Sequence, residues 1–219
     1  MSILGHGTDL SLACTLTPIV QAAGGTVDAA LKRVAATGCP AVQLDATLRG
    51  IRPRELTARA RRDLTSLITR RSLRLAGIDL FIPRRHYADP HEVDRATTAT
   101  TAAITLAADL GKVPVSLQLP IDRLSSDVEA TIFEAADGCG VTLAVHMEDR
   151  FDDLLAWVER VDQPFLGIGL DPAALLAAGR DPVDAANRAG KRLRVARLAD
   201  TNAQDGGATR CTVGRGDLD

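Results

Sequence analysis

Seven short apolar runs, each separated from the next by a longer stretch, constrain this chain more than any other feature. They are LSLACTL (10–16), AVQLDA (41–46), RLAGIDLFIP (74–83), VPVSLQLP (113–120), VTLAVHM (141–147), FLGIGLD (165–171) and LRVARLAD (193–200). Their length and β-branched content read as strands, and near-continuous apolar strands belong to parallel sheets covered on both faces. The stretches between them carry helical spacing. In TVDAALKRVAATG (26–38), Val27, Leu31 and Val34 recur on one face and Gly38 supplies a stop. DPHEVDRATTATTAAITLAADLG (89–111) offers Asp89 as N-cap, Pro90 at the first helical position and Gly111 at the end. RPRELTARARRDLTSLITRRS (52–72), SSDVEATIFEAADGCG (125–140) and DRFDDLLAWVER (149–160) behave the same way, the last with Trp157 as a core residue.

Strand and helix in alternation give the α/β class. Seven strand candidates fit a (β/α) TIM barrel better than a dinucleotide-binding fold. GHGTD (5–9) and AAGGT (22–26) have too few glycines, wrongly spaced, for a GxGxxG phosphate loop. No linker or low-complexity segment divides the chain, so residues 1–219 are expected to form a single domain.

Composition narrows the function classes. The chain is 46% hydrophobic and 25% charged with a net charge of −2, which gives no electrostatic footprint for nucleic acid or an anionic membrane. Cys14, Cys39, Cys139 and Cys211 form no CxxC pair and read as structural thiols. The first residues, MSILGHGTDLSLACTL, lack the basic stretch and long apolar core of a signal peptide. No run approaches the ~20 apolar residues of a spanning helix. A reducing cytoplasm is the expected setting.

In a barrel the chemistry gathers at the carboxyl ends of the strands. Thr15, Thr17, Gln43, Asp45, Arg84, Arg85, His86, Gln118, Asp122, His146, Glu148, Asp149, Asp171, Arg197 and Asp200 fall there and are expected to converge on one mouth. Each has a structural reading beside a functional one. Asp171 precedes Pro172 and caps a helix, with or without a metal contact. His146 ends an apolar run, where a neutral imidazole either ligates a metal or hydrogen-bonds locally. Glu148, two residues on, points to the same side of an extended segment, as do Gln43 and Asp45 on theirs. The Gln43 amide suits sugar hydroxyls but cannot act as a base. Arg197 repels a cation and grips carboxylate or phosphate, or it pairs with Asp200 three residues on. Arg84, Arg85 and His86 are solvated loop charges or a grip for an acidic group.

The phrases AATGCPAVQLDA, LRLAGIDLFIPRRHYADPHEVDRA, AADLG, GIGLDPAALLAAGRDPVDA, RVARLAD and VGRGDLD resemble, in order and spacing, those of the sugar phosphate isomerase/epimerase family. These are the xylose-isomerase-like TIM barrels, which include endonuclease IV-type repair enzymes. The resemblance implies a divalent metal (Mn, Mg, Co or Zn) that polarises a hydroxy-ketone while carboxylates move a proton between adjacent carbons. It places metal ligands at a fifth-strand Glu, a sixth-strand Asp, a seventh-strand His and an eighth-strand Glu. Here the first position is His146, the second Asp171 and the third Arg197; Ala174 stands where a further His follows the sixth-strand Asp. Asp200, Gly214, Gly216, Asp217 and Asp219 keep their places.

The family continues beyond the last phrase into an eighth strand, so with residue 219 last the expectation is an incomplete barrel, seven strands readable. A second copy covering the open edge is one way to complete it.

The resulting expectation is a sugar (phosphate) isomerase/epimerase-like protein acting on a small polyhydroxy carbonyl compound. Glu148 and Asp200 are its proton-transfer carboxylates, Gln43, Arg84, Arg85 and Arg197 its substrate contacts, and His146 and Asp171 its metal ligands. The alternative is a catalytically inactive barrel that binds a sugar-like or anionic ligand, or a partner chain. DNA repair chemistry is disfavoured, because four His and no basic groove cannot build a trinuclear metal cluster.

Overall fold

All seven apolar runs form strands in the computed structural model, which describes residues 12–204, 207–211 and 214–216. The strands are β1 (Cys14–Thr15), β2 (Ala41–Asp45), β3 (Arg74–Leu80), β4 (Val115–Leu117), β5 (Leu143–Val145), β6 (Leu166–Leu170) and β7 (Leu193–Ala196). They pair in chain order, every pair parallel. Helices α1 (Leu16–Ala22) and α2 (Val27–Ala36) lead from β1 to β2, α3 (Ala58–Arg70) from β2 to β3, and α4 (Val93–Asp109) from β3 to β4. Then α5 (Ser126–Cys139), α6 (Phe151–Val161) and the pair α7 (Pro172–Ala177) and α8 (Pro182–Ala189) complete the succession to β7. This is a (β/α) barrel architecture left as an open half-barrel: among the described residues, no strand joins β7 back to β1. No described helix is long and apolar enough to cross a membrane.

The strand period of two sorts the side chains. Val42, Leu44, Ile78, Leu80, Val115, Leu117, Leu143, Val145, Leu166 and Ile168 are buried. They turn outward onto helical residues such as Leu31, Ile104, Ile132, Leu154 and Trp157, which are buried with them in one core. The opposite row faces the interior and is polar or small. Asp45, Asp79, Ser116, Ala144 and Gly167 lie side by side across β2 to β6. The sheet is therefore apolar on its helical face and polar within, a division that the near-continuous runs did not disclose.

Local chemistry explains most helix limits. Thr26, Thr57, Ser125, Asp171 and Asp181 each accept a backbone N–H in the first turn of the helix they precede. Two boundaries depart from expectation. Asp89 does not cap α4; its carboxylate accepts the His91 N–H at 2.9 Å, which closes a turn and delays the helix to Val93. The 52–72 stretch is broken by a 3₁₀ turn, Pro53–Glu55, because Thr57 caps α3 downstream of it. The last run also divides. Strand β7 stops at Ala196, and Asp200 opens an antiparallel hairpin, β8 (Asp200–Gln204) and β9 (Gly207–Cys211), that packs on α7.

Gly140 ends α5 with φ +62°, where an L side chain is strained. A Cβ there meets only the flexible end of Lys112 at 3.3 Å, so backbone strain dominates. Gly140→Ala is expected to lower the unfolding free energy by about 1 kcal/mol, read as a lower denaturation midpoint with an unchanged m-value.

Candidate functional site

Two polar groupings occupy the interior at the carboxyl ends of the strands. The first joins β2, β3 and the end of β7. Asp79, with only 2% of its side chain exposed, accepts Gln43 Nε2 at 2.9 Å and Arg197 Nη2 at 2.7 Å on the same oxygen. The Arg197 guanidinium lies over the exposed Phe81 ring, 5.1 Å from its centroid, and its remaining N–H donors are uncommitted. Gly77 clears space for this grouping, since a Cβ there would stand 3.3 Å from Gln43 Oε1.

The second grouping spans β4, β5 and β6. His146 is fully buried; its Nε2 lies 2.6 Å from Ser116 Oγ and its Nδ1 3.0 Å from Glu148 Oε1. A neutral imidazole satisfies both contacts, with Nδ1–H donating to Glu148 and the Ser116 hydroxyl donating to Nε2. Gly169 on β6 lies against the ring so closely that a Cβ would fall inside the imidazole. Glu148 begins a 3₁₀ turn, Glu148–Arg150, just beyond β5. Its Oε2 has no hydrogen bond to any described residue, while no fully buried polar side-chain atom among the described residues lacks a partner. That oxygen therefore keeps a small opening to solvent, although Glu148 as a whole is only 6% exposed.

The other candidate carboxylates have structural partners. Asp45 accepts the Thr47 N–H at 2.7 Å, the Thr47 hydroxyl at 2.6 Å and the Thr17 hydroxyl at 2.9 Å, tying the start of α1 to the loop after β2. Asp171 caps α7 through the Ala174 N–H at 3.3 Å. Asp200 is fully buried and accepts backbone N–H groups from Thr201, Gly214, Arg215 and Gly216. It does not pair with Arg197, whose carboxylate partner is Asp79. The chain turns away at Ala196, so an i, i+3 spacing there brings no contact. Asp217 and Asp219 lie outside the described residues. Arg84 and Arg85 stand apart from both groupings, in a cleft between the loops after β3, β4 and β5. A larger groove of about 630 Å³ flanks α4 and shares Phe81 with the mouth, but its walls include none of the buried acids.

Asp79 and Ser116 are absent from the expectations drawn from sequence. Asp79 sits inside an apolar run, and a lone acid there, two residues from Gly77 and facing the row that holds Gln43, is the signal that marks it. Ser116 offers no comparable signal.

The donor set does not fit the divalent metal that the family resemblance implies. Both ring nitrogens of His146 are engaged, Asp171 caps a helix, and a guanidinium occupies the seventh-strand position. Among the described residues, no three His, Cys, Asp or Glu groups are placed to hold an ion.

A model of the xylose isomerase-like TIM barrel family matches residues 31–219. Among solved structures, the chain is similar to the IOLI protein with a bound zinc atom, at 16% identity over 96% of this chain and 81% of that one, with a TM-score of 0.75. It is similar to a D-tagatose 3-epimerase-like protein at 14% identity over 94% and 81% of the two chains, TM-score 0.74. A xylose isomerase-like TIM barrel protein from Mycobacterium smegmatis in complex with magnesium follows at 14% identity, 95% and 82%, TM-score 0.71. No curated protein matches the chain.

Removing one partner of the Asp79–Arg197 pair leaves a charge without its counterion. Arg197→Met is expected to lower stability by about 2–3 kcal/mol, less than the ~3–5 kcal/mol of a wholly buried pair because the Arg197 side chain is 23% exposed. The double variant Asp79→Leu/Arg197→Met recovers most of that loss, and urea titrations of the four proteins measure the coupling.

Proposed function

Because the chain belongs to the xylose isomerase-like TIM barrel family, we propose that it binds a small polyhydroxy carbonyl compound at the strand-end mouth and moves a proton between adjacent carbons without a metal. The observation that supports this most directly is the pairing, at one end of one sheet, of a held cation and a carboxylate with one oxygen left unbonded. Arg197 is fixed by Asp79 and Phe81 with donors to spare, and Glu148 is fixed by His146 with Oε2 free.

In this reading Glu148 Oε2 removes a proton from the carbon beside the carbonyl. The electron pair moves onto the carbonyl oxygen, whose growing charge Arg197 stabilises through charge-assisted hydrogen bonds. The resulting enediolate takes the proton back from Glu148 on the neighbouring carbon while the hydroxyl proton there passes to the charged oxygen, so that the carbonyl moves by one carbon. The Gln43 carbonyl accepts from a substrate hydroxyl while its Nε2–H stays on Asp79. His146 and Ser116 hold Glu148 in place rather than touching substrate. Asp200, its oxygens taken by backbone N–H groups, anchors the 214–216 segment.

A second reading, an inactive barrel that binds the same ligand class, draws support from the burial of the proton-transfer group: Glu148 is only 6% exposed.

Hydrogen–deuterium exchange separates the two. Chelator-treated protein incubated in D₂O with a panel of ketoses, aldoses and sugar acids is expected to label one substrate at the carbon next to its carbonyl. Glu148→Gln lowers the labelling rate at least ~100-fold and leaves ligand binding in place. Binding without labelling in the native protein selects the inactive barrel. Labelling that appears only when a divalent ion is added overturns the metal-free mechanism.

A further inference from the structure

The loops after β3, β4 and β5 enclose a cleft of about 280 Å³ on the same end of the sheet as the mouth. Arg84 and Arg85 come from the first loop, Asp122 and Arg123 from the second, and Met147, Asp149 and Arg150 from the third. Met147, between His146 and Glu148, forms part of its wall, so cleft and mouth share the end of one strand.

Four guanidinium groups line this space against two carboxylates, and they divide into two kinds. Arg84 grips Asp149 through both Nη atoms, at 3.0 and 2.9 Å, and so clamps the β3 loop to the β5 loop. Arg150 reaches Asp122 at 2.7 Å and Asp153 at 2.7 Å, clamping the β5 loop to the β4 loop. The hydrogen bond from Arg150 holds the Asp122 carboxyl below the usual carboxylate range, which keeps that clamp charged. These pairs build the walls and neutralise one another.

Arg85 and Arg123 are left over. Arg85 is exposed and has no ion-pair partner among the described residues, and Arg123 is 76% exposed, 3.7 Å from an Asp122 that Arg150 already holds more closely. Two guanidinium groups without a close carboxylate partner thus belong to the lining of one small cleft, on separate loops that the clamps hold together. A volume under the ~300–1,000 Å³ of pockets that enclose whole ligands suits a single charged group. Arginine from two sides suits the oxygens of a tetrahedral oxyanion.

We propose that this cleft binds a phosphate group, and that the phosphate is the tail of a sugar phosphate whose carbonyl end lies in the mouth. The second half of that statement rests on the function proposed above; the first stands on the cleft alone.

Titration calorimetry at constant ionic strength tests both halves, using inorganic phosphate, a hexose phosphate and the same hexose without phosphate. Inorganic phosphate is expected to bind saturably with one site per chain. Arg85→Ala/Arg123→Ala weakens it at least tenfold, Arg85→Lys/Arg123→Lys restores part of the loss, and Arg59→Ala, which removes an exposed guanidinium on α3, changes nothing. Both sites of substitution are exposed, and thermal midpoints check that the variants fold. Phosphate binding that does not saturate, or that falls equally in Arg59→Ala, overturns the cleft. A hexose phosphate no tighter than inorganic phosphate overturns the link to the mouth. Loss of unphosphorylated-hexose binding in the double alanine variant overturns the division into two subsites. Failure of the unphosphorylated hexose to bind native protein, with phosphate still bound, counts against the mouth and leaves the cleft standing.

Discussion

The Asp79–Arg197 contact joins the end of β7 to β3 across the interior, between residues 118 apart in sequence. Backbone ladders run only between neighbours, from β1 to β7, and among the described residues they do not return to their start. An unclosed sheet of this kind has two edges and little to fix its curvature. One ion pair reaching from the last strand to the third supplies a constraint that no ladder hydrogen bond provides. It also settles the electrostatics of the interior. A buried carboxylate without a counterion is costly, so once β3 carries Asp79, a cation must reach it. The cation that does so comes from the position where the family resemblance calls for an imidazole, and a metal in its place would meet a fixed positive charge.

The interior can hold such groups because of what lies opposite them. Gly77 leaves room for Gln43 and Gly169 for the His146 ring. Barrels of this class often fill their centre with branched aliphatic side chains. Here those side chains turn outward to the helices, and polar groups stand in the centre instead, Gln43 and His146 each beside a residue without a Cβ. Glycine in a strand costs backbone entropy and loses packing. At Gly169 that cost is offset by a ring held through both nitrogens.

This division bears on what the sequence disclosed. Every strand of the parallel sheet was legible, because apolar runs bounded by Gly, Pro and polar clusters have few other solutions. Helix starts were legible where a Thr, Ser or Asp oxygen reaches the N–H three residues on, as at Thr26 and Asp171. The start at Asp89 was not, because the same side chain satisfies a turn with equal ease. Inner and outer faces were harder to separate. Gln43 and Asp45 announce a polar face by alternation, whereas the single acid in RLAGIDLFIP is lost among its neighbours until its strand is set beside theirs.

Charge spacing misled for a related reason. Arg197 and Asp200 look like partners when the segment is treated as continuous, and Asp200 looks like a free acid at a strand end. Once the chain breaks after Ala196, the buried Asp200 carboxylate has to find donors nearby, and the backbone N–H groups of Thr201 and residues 214–216 supply four. Asp45 and Asp171 follow the same rule, each satisfying groups that the end of a strand or the start of a helix leaves unpaired. A carboxylate at a barrel mouth therefore meets the demands of the backbone before those of a ligand, and only one that keeps an oxygen clear of them remains available for chemistry. Among the acids considered at the mouth from sequence, Glu148 meets that condition, because His146 occupies one of its oxygens and the other has no hydrogen bond to a described residue.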